Sequence, residues 1–425
     1  MGEWIEMTQF LIAFSEVVSI NFVLGMVHPF YIGMIFIIFM MYRKNVYLEE
    51  NILGDARSRI NMLVFESTMH GILAGLIVSL LVHWLGIHIQ MEQHFFISLW
   101  LILLMISLLN MRYLCFAYGA GILGLCHLLF GWPNMDVSGL LAIVALLHLA
   151  EAGLIWGDGS RNAIPMFVEH KGKVVGSFVM HKQWPIPLVL LIVSMVAEGG
   201  LLSNTQHITE PHWWPLMSLQ GNIISHEALY KMLPIPAILG YSEMVITDSP
   251  RGRTRKSALF IAIYSLLLLG LALLSATTHI FKYIAVFFAI IGHGLLTLYW
   301  TKKERNGKAY FSVPPQGVRV LDIIEGGPAF DMGIAPGDVI LRINNKQVMT
   351  RHGIKSILSD YPTFIWVDIL RENKHHFTFE YKCFPKGIDN FKILIVPRDE
   401  NVANVQRPSM SYHLLRKLIG GKNKN

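Results

Sequence analysis

Along the first 300 residues, long apolar runs alternate with short basic clusters, and beyond them polar and apolar positions mix at the spacing of a soluble domain. A helix of about 20 apolar residues crosses the hydrocarbon core of a bilayer. Runs that approach this length lie at 27–42, 67–90, 95–111, 113–131, 136–157, 186–203, 257–275 and 280–300. Residues 1–26 are also apolar but carry Glu3, Glu6, Glu16 and Asn21, and read as an interfacial segment leading into the first span at His28-Pro29.

Lys and Arg gather on the cytoplasmic side of membrane proteins. Arg43, Lys44, Arg57 and Arg59, then Arg112, then Arg161, Lys171, Lys173 and Lys182 therefore mark inner loops, whereas 90–94 and 131–136 lie outside. Arg251, Arg253, Arg255 and Lys256 are inside as well, so the chain must cross back within 204–250. The best segment for that crossing is 232–247, which Pro234 and Pro236 interrupt. Irregular backbone at such depth survives only against protein or water. Lys302, Lys303 and Arg305 then place the remainder in the cytoplasm. The expected fold is a membrane α-helical bundle over 27–303, with about eight or nine spans, followed by a cytoplasmic α+β domain over 309–384 and a tail over 385–425.

One inner loop has strand patterning. Two β-rich runs flank His170-Lys-Gly-Lys173, predicting a hairpin over about 164–182. Its edge either receives a partner or is covered within the bundle. The tail holds an apolar run, Phe391–Val396, and ends in Tyr412–Ile419, which reads as a membrane-surface helix or a solvated helical end.

Composition supports this division. Only 15% of the 425 residues are charged, against about 25% in soluble domains, and mean hydropathy is +0.47. The net charge of +6 is accounted for by inner loops facing an anionic leaflet. No basic stripe with interleaved aromatics is present, so the bilayer is an expected partner and nucleic acid is not. Cys115, Cys126 and Cys383 are dispersed and odd in number, which suits a reducing face. The N-terminus lacks a basic n-region and a small-residue cleavage site, so no removable signal peptide is expected.

The search for chemistry yields little. His226-Glu227 resembles the start of a zinc-protease helix motif, but Tyr230 stands where the second His ligand belongs. Ionisable residues at bilayer depth are Glu66 with His70, His148 with Glu151, and Glu198. They either serve a proton path or substrate site or pair within the bundle. His83, His127 and His293 lack metal-ligand spacing. No catalytic residue, metal or cofactor is expected.

The stretch Gly317–Asn345 resembles the bacterial form of the PDZ domain, with Gly326-Gly-Pro-Ala329 opening a short helix, Pro336-Gly337-Asp338 a tight turn, Val339–Ile343 a strand and 351–360 a helix. The resemblance implies a non-catalytic module that adds a partner's extended segment to a sheet edge. It assigns the groove to Gln316, Gly317, Val318, Arg319, Val320 and Leu321 as the receiving strand, walled by Ile354, Ile357 and Leu358. The carboxylate-gripping loop departs from the family pattern, because Pro315 has no N–H and Gln316 replaces an apolar residue. Recognition of a free C-terminus and of an internal segment both stay open, as does self-association.

The wider layout resembles the MinJ family of polytopic PDZ proteins in the Min system of Gram-positive rods. The matching features are His28-Pro-Phe-Tyr31, Trp184-Pro-Ile-Pro187, Leu233–Tyr241 and Ile246-Thr-Asp-Ser-Pro250, with a PDZ-like domain after the last spans. The resemblance implies a septal and polar membrane scaffold that bridges a DivIVA-like polar protein and a MinD-like division inhibitor. A PDZ adaptor presenting substrates to a membrane protease, and a transporter with a regulatory PDZ, are the alternatives.

Overall fold

A computed structural model describes residues 2–53, 59–90, 95–109, 115–194, 214, 229–371, 375–398 and 405–406. In chain order these form α1 (Gly2–Val27), α2 (Pro29–Leu53), α3 (Ile60–Trp84), β1 (His88–Gln90), α4 (Phe95–Leu109), α5 (Phe116–Phe130) and α6 (Val137–Asp158). There follow β2 (Ile164–His170), β3 (Lys173–Ser194), β4 (Leu229–Val245), α7 (Pro250–Thr277) and α8 (His279–Asn306). The C-terminal region holds β5 (Val318–Ile323), α9 (Pro328–Asp331), β6 (Val339–Ile343), β7 (Lys346–Gln347), α10 (Arg351–Leu358), β8 (Phe364–Arg371), β9 (His375–Lys382), β10 (Ile393–Ile395) and β11 (Val405–Gln406).

The membrane block is helical where the apolar runs predict it, with one major exception and fewer full-length spans than expected. Four of the described helices, α3, α6, α7 and α8, are long and apolar enough to cross a membrane. A fifth is added if Ser15–Val27 and Pro29–Leu53, bent by 56° at His28-Pro29, count as one span. Proline removes an N–H and clashes with the preceding turn, so the break falls there. The runs at 95–111 and 113–131 give α4 and α5 with 15 residues each, about 22 Å of helix. Central α6 starts at Asp136, whose carboxylate accepts from the N–H groups of Ser138 and Gly139. Ser249 caps α7 in the same way through Gly252, with Pro250 at its first position.

The exception is the segment expected to supply a helical span at 186–203. Residues 186–194 are instead the second half of β3, which pairs antiparallel with β4 from Phe178↔Val245 to Ser194↔Leu229. The interrupted segment at 232–247 falls in β4, so a two-stranded ribbon stands in place of one expected helix and one irregular segment. The ribbon lies along α3, where every fourth residue, Ser67, Gly71, Gly75 and Ser79, is small. Four helical residues rise about 6 Å and two strand residues about 6.6 Å, so the two elements stay in step. Gly71 meets Pro185, Gly75 meets Pro187 and the Ser79 Oγ accepts from the Val189 N–H at 3.0 Å.

That register also settles the strand's hydrogen bonds. Alternate residues of β3 direct their polar groups away from β4, and these are Gln183, Pro185, Pro187 and Val189. Proline at two of them deletes donors that would otherwise lie unmet in an apolar setting. The Tyr31 hydroxyl donates to the Pro185 carbonyl at 3.3 Å, and the Tyr42 hydroxyl accepts from the Gln183 N–H at 3.3 Å. Beyond Val189, Leu191–Val193 pair in parallel with β1. On β4, Pro234 and Pro236 stand opposite Val189 and Pro187 and therefore point away from β3 as well, with Pro234 against Gly25 of α1.

The hairpin predicted over 164–182 is present. Its two-residue turn uses Lys171 and Gly172 at positive φ, as tight right-twisted hairpins require. β2 pairs with β3 on one side and with β11 on the other, at Val405↔Phe167 and Gln406↔Val168. Its outer edge is thus covered in part by a later segment of the same chain.

The C-terminal sheet has the order β10-β5-β6-β8-β9, with β7 beside β6. Strands, turns and helices from Val318 to Tyr381 fall where the sequence places them, including the Asn344-Asn345 turn, with both residues at positive φ. One assignment is corrected: β5 is not the edge strand. The run Phe391–Val396, read as part of the tail, supplies β10, which pairs with β5 at Ile393↔Ile323, Leu394↔Asp322 and Ile395↔Val320. The run follows β9 yet pairs with β5, the first strand of the domain, and nothing local signals that distant partner.

Candidate peptide-binding groove and a buried cysteine–histidine cluster

Strand β10 lies beside α10 and runs opposite to it. The segment before β10 touches the exit of α10, with the Ile388 N–H donating to the Pro362 carbonyl at 3.0 Å. The segment after it touches the entry, where Arg398 Nε donates to the Met349 carbonyl at 3.4 Å. Thr350 caps the helix by accepting from the Gly353 N–H. Ile393 and Ile395 share one hydrophobic cluster with Ile354, Ile357 and Leu358, and among these Ile393 and Ile357 are half-buried. Among the described residues no strand pairs with the far side of β10. The free strand at this end of the sheet is therefore β10, not β5.

The expected groove residues divide accordingly. Ile354, Ile357 and Leu358 lie on α10, with Ile354 and Leu358 buried. Val318 and Val320 are buried in the domain core, while Leu321 turns to the opposite face and packs on Gly176 of the hairpin. Arg319 Nε donates to the Ser312 carbonyl. Gln316 is exposed, but the Gly317 N–H donates to Met349 Sδ and Val318 pairs with Ile340. The Gly317 N–H is thus already engaged within the domain. Arg351, His352 and Lys355 are exposed on α10, and exposed Lys392 precedes β10.

The other face of β5 and β10 is fastened to the membrane block. Leu321, Leu394 and Val396 join the hydrophobic core that contains Phe178 and Phe311. The Gly176 N–H donates to the Phe311 carbonyl at 2.9 Å, and the Phe178 and Phe311 rings are 5.3 Å apart. Lys171 Nζ donates to the carbonyls of Asn306 and Gly307.

The polar residues at helical depth pair more than their sequence positions reveal. Asp158 accepts from Lys182 Nζ and Trp184 Nε1, each at 3.0 Å, and all three residues are buried. His70 Nδ1 lies 4.0 Å from the same carboxylate, whereas Glu66 is half-buried. His83 Nδ1 bonds the Ser79 carbonyl and His127 Nδ1 that of Pro133. Glu198, His226 and Glu227 lie outside the described residues, as do Arg57, Arg112, the 91–94 part of the outer loop and the Tyr412–Ile419 segment.

A second constellation had no sign in the sequence spacing. Cys115, at the start of α5, places its Sγ 3.1 Å from His148 Nε2 and 3.6 Å from His293 Nε2. His148 is midway along α6 and His293 midway along α8. His148 Nδ1 lies 2.9 Å from the Val144 carbonyl, and Glu151 Oε2 lies 3.9 Å from His148 Nε2. Each donor comes from a different helix or turn, except the His148/Glu151 pair.

Residues 319–371 match the PDZ domain family. The crystal structure of the PDZ domain of an SdrC-like protein from Listeria monocytogenes is similar at 18% identity, covering 20% of this chain and 93% of that chain at a TM-score of 0.17. Over 246 residues the chain is 24% identical to the cell division topological determinant MinJ of Bacillus subtilis, a match covering 57% of this chain and 56% of that protein. The matched stretch is thus little more than half the length of the curated relative. The chain thus pairs apolar helices of spanning length with a C-terminal match to the PDZ domain family, and over part of its length it is similar to MinJ.

Proposed function

We propose that the chain is a non-catalytic membrane scaffold for division-site placement, which bridges a DivIVA-type polar protein and a MinCD-type inhibitor. The observation that carries this reading is the similarity to a protein named as a cell division topological determinant, coupled to a PDZ domain. Bridging needs paired recognition surfaces on an anchor and no reaction centre. One surface is the groove between β10 and α10, where an extended acidic segment adds as a further strand: main-chain bonds supply affinity and the pocket by Ile357 and Ile393 supplies selectivity. The PDZ domain faces the cytoplasm, in keeping with Lys303 and Arg305 in the last turn of α8.

Imaging of a fluorescent fusion of the full chain, with cell-length measurement after deletion, tests the role. Enrichment at septa and poles with filaments or minicells is expected. A uniform membrane signal with normal cell lengths would refute it and would favour an adaptor for a membrane protease. For the groove, Ile393→Asp in the full chain should abolish capture of acidic peptides, while Phe330→Asp on the exposed surface of α9 should not.

A further inference from the structure

We propose that Cys115, His148 and His293, with Glu151 as fourth donor, form a zinc site that clips α5, α6 and α8 together. The three ligand atoms from Cys115, His148 and His293 lie within 4.8 Å of one another. Tetrahedral Zn2+ with Zn–S near 2.3 Å and Zn–N near 2.05 Å separates sulfur from nitrogen by about 3.6 Å. The structure has 3.1 and 3.6 Å for those two separations, both within about half an ångström of that geometry. The carboxylate of Glu151, 3.9 Å from His148 Nε2, closes the fourth position with a small side-chain movement.

Charge is the stronger argument. An isolated thiolate or carboxylate at helical mid-depth is costly to bury. A thiolate, a carboxylate and two neutral imidazoles around a divalent ion sum to zero, an ionised state that an apolar interior can hold. The second shell is already arranged. A proton on His148 Nδ1 is donated to the Val144 carbonyl, which leaves Nε2 free as a ligand, the orientation that metal-binding histidines adopt. Tyr264 and Tyr118 pack edge-on against the imidazoles, with ring centroids 5.8 Å from His148 and 5.1 Å from His293. They hold the rings in place and limit water. With four protein donors the site is closed, which marks it as structural.

The test is metal content of the full chain purified in detergent, followed by Co2+ substitution after chelation. About one zinc ion per chain is expected to survive gel filtration, and Co2+ should give the intense visible bands of a tetrahedral site with a near-ultraviolet thiolate band. Cys115→Ser should remove the thiolate band and most of the zinc, and Glu151→Gln should weaken retention while keeping that band. A folded wild-type chain that holds neither metal would overturn the proposal, as would a Cys115→Ala/His293→Ala chain with unchanged zinc and cobalt spectra. If the variants do not fold, the wild-type cobalt titration decides alone.

Discussion

Replacing Gly71 or Gly75 by alanine should destabilise the membrane block, although alanine is the better helix former. A Cβ on Gly71 would stand 2.1 Å from the Pro185 carbonyl oxygen, and one on Gly75 2.2 Å from that of Pro187. Real Cβ contacts do not fall below 3.0 Å, so β3 must retreat by nearly an ångström. Both obstacles are backbone and cannot rotate aside. Overpacking of this kind costs about 1–3 kcal/mol, and the retreat stretches the bond from Val189 to Ser79, adding about 1 kcal/mol. Against this, Gly→Ala in a helix gains about 1 kcal/mol, leaving each change unfavourable by about 1–3 kcal/mol. Gly270 in α7 is the internal control, since nothing lies within 4 Å of its added Cβ; Gly270→Ala should be neutral or stabilising. Thermal unfolding of the full chain in one detergent, followed by tryptophan emission, reads the effect at about 2–4 °C per kcal/mol. Buried Trp184 on β3 makes that signal sensitive to the ribbon. If Gly71→Ala and Gly75→Ala melt at or above Gly270→Ala, the strand does not lie on α3 and the register argument fails.

Three further outcomes follow from the same structure. Asp158→Ala strands the buried Lys182 ammonium and should cost about 3–5 kcal/mol, measured as lost folded yield and melting temperature, whereas Asp158→Ala with Lys182→Met should recover much of it. Gly176→Leu drives a side chain into Leu321 and Phe311 and should undock the PDZ face, seen as faster amide exchange at 308–323 with the helices unchanged; unchanged exchange would count against the docked arrangement. Burial, with Lys44 nearby, holds the His181 imidazole below its ordinary value. The unfolded chain therefore takes up that proton first, and stability should fall as pH drops below about 6.5. His181→Gln should flatten that part of the melting curve, and an unaltered slope would show that His181 does not cause it.

Periodic apolar runs were enough to place α2 to α8 and the order of elements within the PDZ domain, because each of those depends on neighbours within one segment. Three things escaped because they depend on contacts distant in sequence. The ribbon at 178–194 and 229–245 has the composition of a span, and only the prolines and the small-residue stripe of α3 distinguish it. The strand β10 stands beyond the sequence-assigned domain end, so β5 reads as an edge strand although β10 pairs outside it. Cys115, His148 and His293 lie on separate elements, and no spacing along one helix could unite them. Even so, Pro234 and Pro236 signal non-helical backbone at 232–247, and that segment is part of β4.

The PDZ domain is sewn to the bundle at two places: before it, through Gly307–Phe311 on the hairpin, and after it, through Val405 and Gln406 alongside β2. A domain hung on one linker swings through a wide cone, and any pull on its cargo is first spent in taking up slack. Stitched at both ends, this one has little slack to spend. A segment that paired with β10 would lie beside Leu394, with Val396 just beyond the strand, and both rest on the helical block, so its bearing would be set on arrival and a tug on it would reach the bundle directly.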